Sequence, residues 1–239
     1  MSKIYIGTSG YSYPSWKGNF YPADLKPAQW LTYYSSQFNT VELNGSFYKV
    51  PLVKSLKKMF ESTPDDFCFS VKANQKITHI MLMKNVKDTV NEFSEIINEG
   101  LEHKLHNILF QLPPSFHYTE ENLDNIINNI PGSSKNIIEF RHASWWNEEV
   151  MQVLDKHDLT FCNVSYPGLP DEVKVTTEST YLRMHGVPDL FKSLYSDEEL
   201  KLFAKKLPAN AENTYIYFNN TTFEAGYTNA RTMEILTKS

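Results

Sequence analysis

Eight short runs of β-branched and aromatic residues recur along this chain, and seven helical patterns lie between or after them. The strand-like runs occupy residues 3–9, 40–44, 67–72, 107–112, 136–141, 159–164, 180–186 and 214–220. The helical patterns occupy residues 27–38, 52–62, 85–102, 119–129, 147–157, 197–207 and 229–237. Because strands that alternate with helices are joined in parallel by crossovers, this order predicts an α/β fold.

The number of strands favours closure of the parallel sheet into a barrel. Eight strands in 239 residues match a (β/α)8 TIM barrel that takes the whole chain, 1–239, as one domain. An open doubly wound sheet is the alternative, but the chain contains neither G-x-G-x-x-G nor G-x-x-x-x-G-K-[ST], the usual nucleotide fingerprints of that architecture. Residues 166–179 lack a helical pattern, so we expect a loop between the sixth and seventh strands.

Composition narrows the function classes. No apolar run is long enough to cross a bilayer and no signal-peptide core opens the chain, so we expect a cytoplasmic protein without a membrane partner. The formal net charge of −5 disfavours nucleic acid as a partner, because broad phosphate binding needs many Lys and Arg contacts. Cys68 and Cys162 lie inside predicted strands without a CxxC spacing, which indicates core residues.

Polar side chains concentrate in the carboxyl halves of the predicted strands, whereas the amino halves supply mostly Ile, Val, Leu, Phe or Tyr. Because residues two apart share a face of a strand, Glu139 and Arg141 face the same side, as do Arg183 and His185. TIM-barrel active sites lie at the carboxyl ends of the strands, so this polarity predicts a ligand site at the barrel mouth. The set comprises Glu42, Asn44, Lys72, Gln111, Glu139, Arg141, Arg183, His185 and Asn219.

The charges within this set indicate the chemistry of the ligand. An unpaired charge inside a barrel is costly, so these groups pair with one another, hold water or face a ligand. Arg141, Arg183 and Lys72 outnumber the carboxylates, which predicts an anionic or phosphorylated small molecule, clamped by guanidinium groups and by the lysine as a point charge. A closed network, such as Glu139 with Arg183, is the structural alternative.

Three residues of the set are candidates for acid/base catalysis, namely Glu42, Glu139 and His185. The rim loops add His79, His142 and Trp145 as candidate ligand contacts. A metal-dependent phosphodiester hydrolase and a non-catalytic binding module are competing hypotheses. No H-x-x-x-H or H-x-H pair occurs, so no metal ligand is assigned and the cofactor is left open.

Seven segments together resemble the YecE-like family, known as domain of unknown function 72. GTSG at 7–10 is followed by Trp16, Gly18 and FYP at 20–22, and FNTVELNGSFYKVP occupies 38–51. FSVK with a later His79, FQLPPSF, EFRHASW, YLRMHG and YFNN complete the pattern. The resemblance covers nearly the whole chain and implies a TIM barrel without an agreed reaction. The chain departs from the family after the sixth strand, where Asn163 and Ser165 stand in a region that commonly shows Asp.

Overall fold

Parallel strands in the expected number and order surround a central axis in this computed structural model, which describes residues 3–238. Each neighbouring pair from β2 to β8 is hydrogen-bonded in parallel, and β8 pairs with β1, which confirms the (β/α)8 barrel. The strands are β1 Lys3–Thr8, β2 Thr40–Leu43, β3 Cys68–Lys72, β4 Leu105–Gln111, β5 Ser133–Glu139, β6 Leu159–Ser165, β7 Ser179–Met184 and β8 Asn213–Phe218.

The helices cover the outside of the barrel, and all seven predicted stretches contain one. Their bounds are α1 Trp30–Ser35, α2 Gly45–Tyr48, α3 Val53–Glu61, α4 Lys87–Leu101, α5 Glu120–Asn129, α6 Glu148–Lys156, α7 Asp197–Lys206 and α8 Ala225–Lys238. The short α2 and a π-helical turn at Lys76–Ile80 were not predicted. Helix α1 is shorter than expected because its first predicted turn is a separate 3-10 turn, Pro27–Gln29. The connection from β6 to β7 contains no helix, as predicted.

Side-chain caps explain several helix starts. Thr119 accepts a hydrogen bond from the backbone N–H of Asn122 at the start of α5, and Asn147 accepts one from Val150 at the start of α6. Ser196 and Glu199 form a reciprocal capping box at the start of α7. These caps satisfy backbone donors that the first helical turn leaves free, so the α5 and α6 boundaries lie within a residue of the predicted ones.

The barrel closes between β1 and β2 with side chains in place of most of the backbone ladder. The Tyr34 hydroxyl accepts a hydrogen bond from the Thr8 N–H at 2.8 Å and donates to the Thr40 carbonyl at 3.1 Å. Asn39 bonds to both Ile4 and Ile6 of β1. A Cβ added to Gly7 would lie 2.1 Å from the Thr40 carbonyl oxygen, so glycine is required at this close approach.

Two apolar clusters flank the barrel wall. The larger lies between the sheet and the helices, and the smaller fills the barrel interior with Leu109, Ile137, Val164 and three tyrosines. The interior is more polar than the strand composition suggested, since the Tyr217 hydroxyl lies 2.6 Å from Thr40 Oγ1. Most aliphatic residues of the amino halves face the helices, which leaves tyrosines and small hydroxyl residues for the axis.

Candidate functional site

A buried ion network spans the barrel from β2 to β5 and β7. The Arg183 guanidinium binds both carboxylate oxygens of Glu42, with Nε 3.0 Å from Oε2 and Nη2 2.7 Å from Oε1. Its Nη1 donates to Oε2 of Glu139 at 2.6 Å. None of the three side chains is more than 1% exposed. The sequence pattern predicted that these residues lie near one another, and in the structure Arg183 binds both carboxylates.

Glu42 has no free acceptor position toward the mouth. Besides Arg183, its Oε1 accepts a hydrogen bond from Ser9 Oγ and its Oε2 accepts one from the Tyr181 hydroxyl, both at 2.7 Å. A buried carboxylate that is saturated by donors serves as an anchor for those donors. The predicted acid/base role of Glu42 stays a prediction, and it would require a substrate proton to displace one of these buried donors.

Glu139 is held as a carboxylate by two arginines. Its Oε1 accepts a hydrogen bond from Arg141 Nε, and its Oε2 accepts the bond from Arg183. Burial alone would raise the pKa of Glu139, but Arg141 and Arg183, with a contribution from His185, hold it well below its usual range. A carboxyl that stays ionised at neutral pH cannot donate a proton as a general acid, so only the base half of the predicted acid/base role stays a prediction. Its contact with Arg141 also positions that guanidinium.

His185 is fully buried beside this network. Its Nδ1 lies 2.9 Å from the side-chain nitrogen of Asn219, and its Nε2 lies 3.5 Å from Glu139 Oε1 and 3.1 Å from Arg141 Nη2. A proton on Nε2 points toward Glu139 and leaves Nδ1 to accept from Asn219, whereas a proton on Nδ1 leaves Nε2 to accept from the Arg141 guanidinium, which only donates. Burial and the neighbouring Arg141 lower the pKa of His185 to about 3, so the ring is neutral at physiological pH. The predicted residues Asn219 and His185 thus lie together.

Arg141 forms the edge of the network nearest to solvent. Its guanidinium carbon lies 4.3 Å from the ring centroid of Tyr166, which follows β6. Its Nε binds Glu139, while Nη1 has no hydrogen bond to the residues of 3–238. An arginine held over an aromatic ring with free donors is a preorganised anion contact.

Lys72 ends β3 and is the third cation of the mouth. Its Nζ lies 4.1 Å over the ring of Phe47, and no carboxylate or hydrogen-bond acceptor in the described part of the chain contacts it. Burial and the nearby Arg183 lower the pKa of Lys72 to about 8, against the opposing effects of Glu139 and Glu42. Lys72 is thus half-buried, unpaired and able to lose its proton close to neutral pH.

His79 and Gln111 lie at the edge of the site. The His79 ring packs edge-on against Phe47, with centroids 4.8 Å apart, so Phe47 contacts both His79 and Lys72. Burial, followed by the charges of Lys72 and Arg141, lowers the pKa of His79. Gln111 is buried and donates to the backbone carbonyl of Leu112 at 2.7 Å. Its amide therefore supports the end of β4.

Three predicted ligand contacts lie elsewhere. Trp145 is wholly buried, with its ring 4.1 Å from that of Phe140 and its Nε1 bonded to the Phe116 carbonyl, so it is a core residue. Asn44 does not share a face with Glu42, because β2 ends one residue earlier and Asn44 has helical backbone angles. Asn44 instead lines a neighbouring cavity of about 400 Å³ beneath α3.

His142 is the third of these residues. Its Nδ1 bonds to Ser144 at the start of a 3-10 turn, and its ring stacks on His117 at 3.9 Å. Neither contact joins the ion network. The physical reason is that β5 ends at Glu139 and His142 caps the following 3-10 turn, where its side chain bonds to Ser144.

The comparisons with known proteins agree with the segments that indicated the family. A family model described as a protein of unknown function, DUF72, matches residues 5–239. The chain belongs to the DUF72 family. It is 27% identical to the UPF0759 protein YunF of Bacillus subtilis, over 91% of this chain and 88% of that protein. It is 28% identical to the UPF0759 protein YecE of Escherichia coli K12, over 60% of this chain and 50% of that protein.

Solved structures of the family have the same fold. A DUF72 family protein from Thermotoga maritima superposes with a TM-score of 0.91 at 32% identity, covering 99% of this chain and 100% of that one. A DUF72 family protein from Enterococcus faecalis gives 0.83 at 19% identity, covering 99% and 96%. Neither description names a substrate, so the function of this DUF72 protein is argued from its own site.

Sequence reasoning missed several partners of the ion network in this DUF72 protein. Ser9 and Tyr181 hold Glu42, and Tyr166 supports Arg141. Tyr181 lies two residues before Arg183, so the alternation that paired Arg183 with His185 also indicated that it faces inward. Tyr166 had a weaker signal, since it is an aromatic residue directly after a strand. Ser9 gave no signal beyond its place in the family motif.

The acidic, histidine and cysteine side chains of this DUF72 protein are dispersed over the part of the chain that the structure describes. Among residues 3–238, no group of three or more His, Cys, Asp or Glu side chains lies close enough to share a metal ion. The two buried carboxylates of the site, Glu42 and Glu139, are bound by arginines. No helix in the described range is long and apolar enough to cross a membrane.

Proposed function

We propose that this DUF72 protein is an enzyme that binds an anionic, phosphorylated small molecule at the carboxyl-terminal mouth of its barrel. The observation that carries the proposal is the excess of positive charge there. Lys72, Arg141 and Arg183 face two carboxylates, and Arg183 and Arg141 already neutralise both of them. Lys72 therefore stays unpaired, and Arg141 keeps free donors beside it.

An anion would complete this arrangement. A phosphate group accepts hydrogen bonds from a guanidinium in a planar, bidentate geometry, and a nearby ammonium adds charge without a fixed direction. Glu139 fixes the Nε edge of Arg141 and Tyr166 fixes its face, so the free Nη1 donors are held before the ligand arrives. A site that is ordered in advance loses less conformational entropy on binding.

The local positive charge contrasts with the net charge of the whole chain, which is −5. A compact cluster of cations in an acidic protein suits a small anion, whereas a nucleic acid would meet repulsion over most of the surface. The lack of a clustered metal-ligand set among residues 3–238 supports the small-molecule proposal over the metal-dependent hydrolase.

Thermal unfolding with ligands tests the binding step. Inorganic phosphate, ribose 5-phosphate and glyceraldehyde 3-phosphate would be compared with ribose and glyceraldehyde, and with divalent metals with and without EDTA. A ligand at a hundredfold excess over its Kd adds about 2.7 kcal/mol, or a rise of roughly 5 to 11 °C in Tm for a chain of this size.

Two substitutions locate the site. Arg141→Met should remove the phosphate-dependent rise in Tm, because it deletes the free donors, whereas Lys76→Met changes an exposed lysine on the same rim and should keep the rise. Products from each stabilising compound would be sought by ³¹P NMR. Equal stabilisation by phosphorylated and unphosphorylated compounds, or an unchanged response in Arg141→Met, would contradict the proposed anion site. Stabilisation without turnover of any compound would contradict the enzyme and favour a binding module.

A further inference from the structure

Four side chains of the site could act as nucleophiles, and they differ in whether a hydrogen-bond partner or burial holds the attacking atom. They are Ser9, Cys162, Tyr181 and Lys72. The Ser9 hydroxyl is buried and donates to Glu42. Cys162 lies beneath the network, where burial and then the charge of Glu139 raise the pKa of its thiol well above the usual range. The Tyr181 hydroxyl is likewise buried against Glu42. The amine of Lys72 has no such partner in the described chain.

We propose that Lys72 is a covalent catalytic residue whose Nζ forms an imine with the carbonyl carbon of a phosphorylated aldehyde or ketone. The inference rests on the proposed function for its phosphate contact, which Arg141 supplies. Lys72 is a nucleophile at the carboxyl end of a barrel strand, and its amine is within reach of the charge of Arg141, the guanidinium that keeps free donors.

The charges that surround Lys72 explain how the amine becomes available. Arg183 and Arg141 disfavour its ammonium form, and burial against Phe47 removes water from it. Glu139 and Glu42 oppose the loss of the proton, but both are already bonded to arginines. His79 contacts the same Phe47 ring and is itself held toward the neutral form by burial and by Lys72. With a pKa of about 8, the neutral fraction of Lys72 at pH 7 is roughly 200 to 300 times that of an ordinary lysine.

The covalent step is balanced without a further reagent. The neutral Nζ attacks the carbonyl carbon, and the carbonyl π electrons move to oxygen, which takes up one proton to give a carbinolamine. Nitrogen loses one proton and the hydroxyl gains one. Water then leaves with the C–O bond pair, and the nitrogen lone pair forms the C=N bond of a protonated imine. From the ammonium form, the sum is carbonyl compound plus Lys72–NH3⁺ giving iminium plus water. The iminium can accept electrons from a neighbouring carbon–carbon or carbon–hydrogen bond.

Reductive trapping tests this proposal on the whole chain. Pyridoxal 5′-phosphate carries both an aldehyde and a phosphate group, and borohydride converts its imine into a stable secondary amine that peptide mass spectrometry can locate. We expect Lys72 to be modified at least tenfold faster at pH 7 than the exposed Lys76 of the same rim. The rate should rise with pH and reach half its maximum near pH 8. Lys72→Arg keeps the positive charge and should lose the fast site.

Three comparisons separate this inference from the proposed function. Pyridoxal without phosphate, competition by inorganic phosphate, and the Arg141→Met variant each test the anion contact. Lys72 could react fast with pyridoxal as well as with pyridoxal 5′-phosphate, and inorganic phosphate could fail to slow the reaction. That result would support the imine-forming amine and overturn the anion site. If phosphate raises the Tm of the protein but Lys72 is modified no faster than Lys76, the anion site is supported and the imine is overturned. Circular dichroism of each variant checks that the barrel is intact.

Discussion

Replacement of Arg183 by methionine would leave buried charge inside the barrel. Glu139 would keep Arg141 as a partner, but Glu42 would keep only the hydroxyl donors of Ser9 and Tyr181. Loss of one partner of a buried ion pair costs about 3 to 5 kcal/mol, because the remaining charge is neither hydrated nor neutralised. We expect Arg183→Met to lower the free energy of unfolding by about that amount, which is a fall of roughly 6 to 20 °C in Tm for a domain of this size.

Urea unfolding followed by circular dichroism would measure the loss, with an unchanged m-value showing that the unfolded state is the same. Lys84→Met is the matched control, since Lys84 also lies 2.9 Å from a carboxylate, that of Glu121, but both side chains are more than half exposed. Such a surface pair contributes about 0 to 1 kcal/mol. Arg183→Met should therefore lower the free energy of unfolding clearly more than Lys84→Met, because the first ion pair is buried and the second is exposed.

A second substitution tests whether the unpaired carboxylate of Glu42 causes the loss of stability in Arg183→Met. Glu42→Gln in the Arg183→Met background removes the unpaired carboxylate and keeps its shape, so the double variant should be more stable than Arg183→Met alone by about 1 to 3 kcal/mol. A loss below about 1 kcal/mol in Arg183→Met, or a double variant in which the two losses simply add, would refute the buried network as the structure shows it.

Three further changes probe the site and its support. The pKa of His185 is about 3 in the folded state, below its ordinary value of 6.5, so the unfolded chain binds the proton first as pH falls. The free energy of unfolding should therefore drop by up to about 1.4 kcal/mol per pH unit between pH 6.5 and 3. Urea unfolding at several pH values should give His185→Asn a shallower dependence on pH than the parent protein, and equal dependences would contradict the buried neutral ring. Gly7→Ala should destabilise the barrel by several kcal/mol because its Cβ would meet the Thr40 carbonyl at 2.1 Å, while Gly45→Ala, with no atom within 4 Å, should be close to neutral in the same assay. Trp145→Ala should cost about 3 to 5 kcal/mol yet leave the phosphate-dependent change in Tm intact if the residue is core, and loss of that change in a folded variant would restore it to the ligand site.

The period of two along the strands predicts which residues of the ion network share the site, but it does not predict which carboxylate each arginine binds. A period of two places Arg183 and His185 on one face of β7, and the common direction of parallel strands brings Glu42 to the same end of the barrel. Which carboxylate each arginine binds depends on side-chain reach across the axis, and the local pattern along one strand carries no information on that distance. The sequence also left a closed network and a ligand site as alternatives, and the structure has a closed part and an open part.

The errors arise where the strand period stops. Asn44 and Trp145 were assigned from their positions just past a strand, but β2 ends at Leu43 and Trp145 belongs to a 3-10 turn. In such turns the side-chain direction depends on a few backbone angles and on tertiary packing, so extrapolation by alternation fails after one or two residues. Tryptophan also has a large apolar surface, and its burial against Phe140 outweighs any benefit from a place at the rim.

The distribution of charge between arginine and lysine in the mouth follows from their chemistry. An arginine keeps its charge at every physiological pH, so it can neutralise a carboxylate permanently in a buried position, as Arg183 does for Glu42. A lysine placed there could be deprotonated by burial and would leave the carboxylate unpaired. Lys72 stands instead at the half-buried edge, without a carboxylate contact in the described chain, where loss of its proton breaks no ion pair. The two arginines thus fix the charge of the barrel interior, and Lys72 is free to change its own.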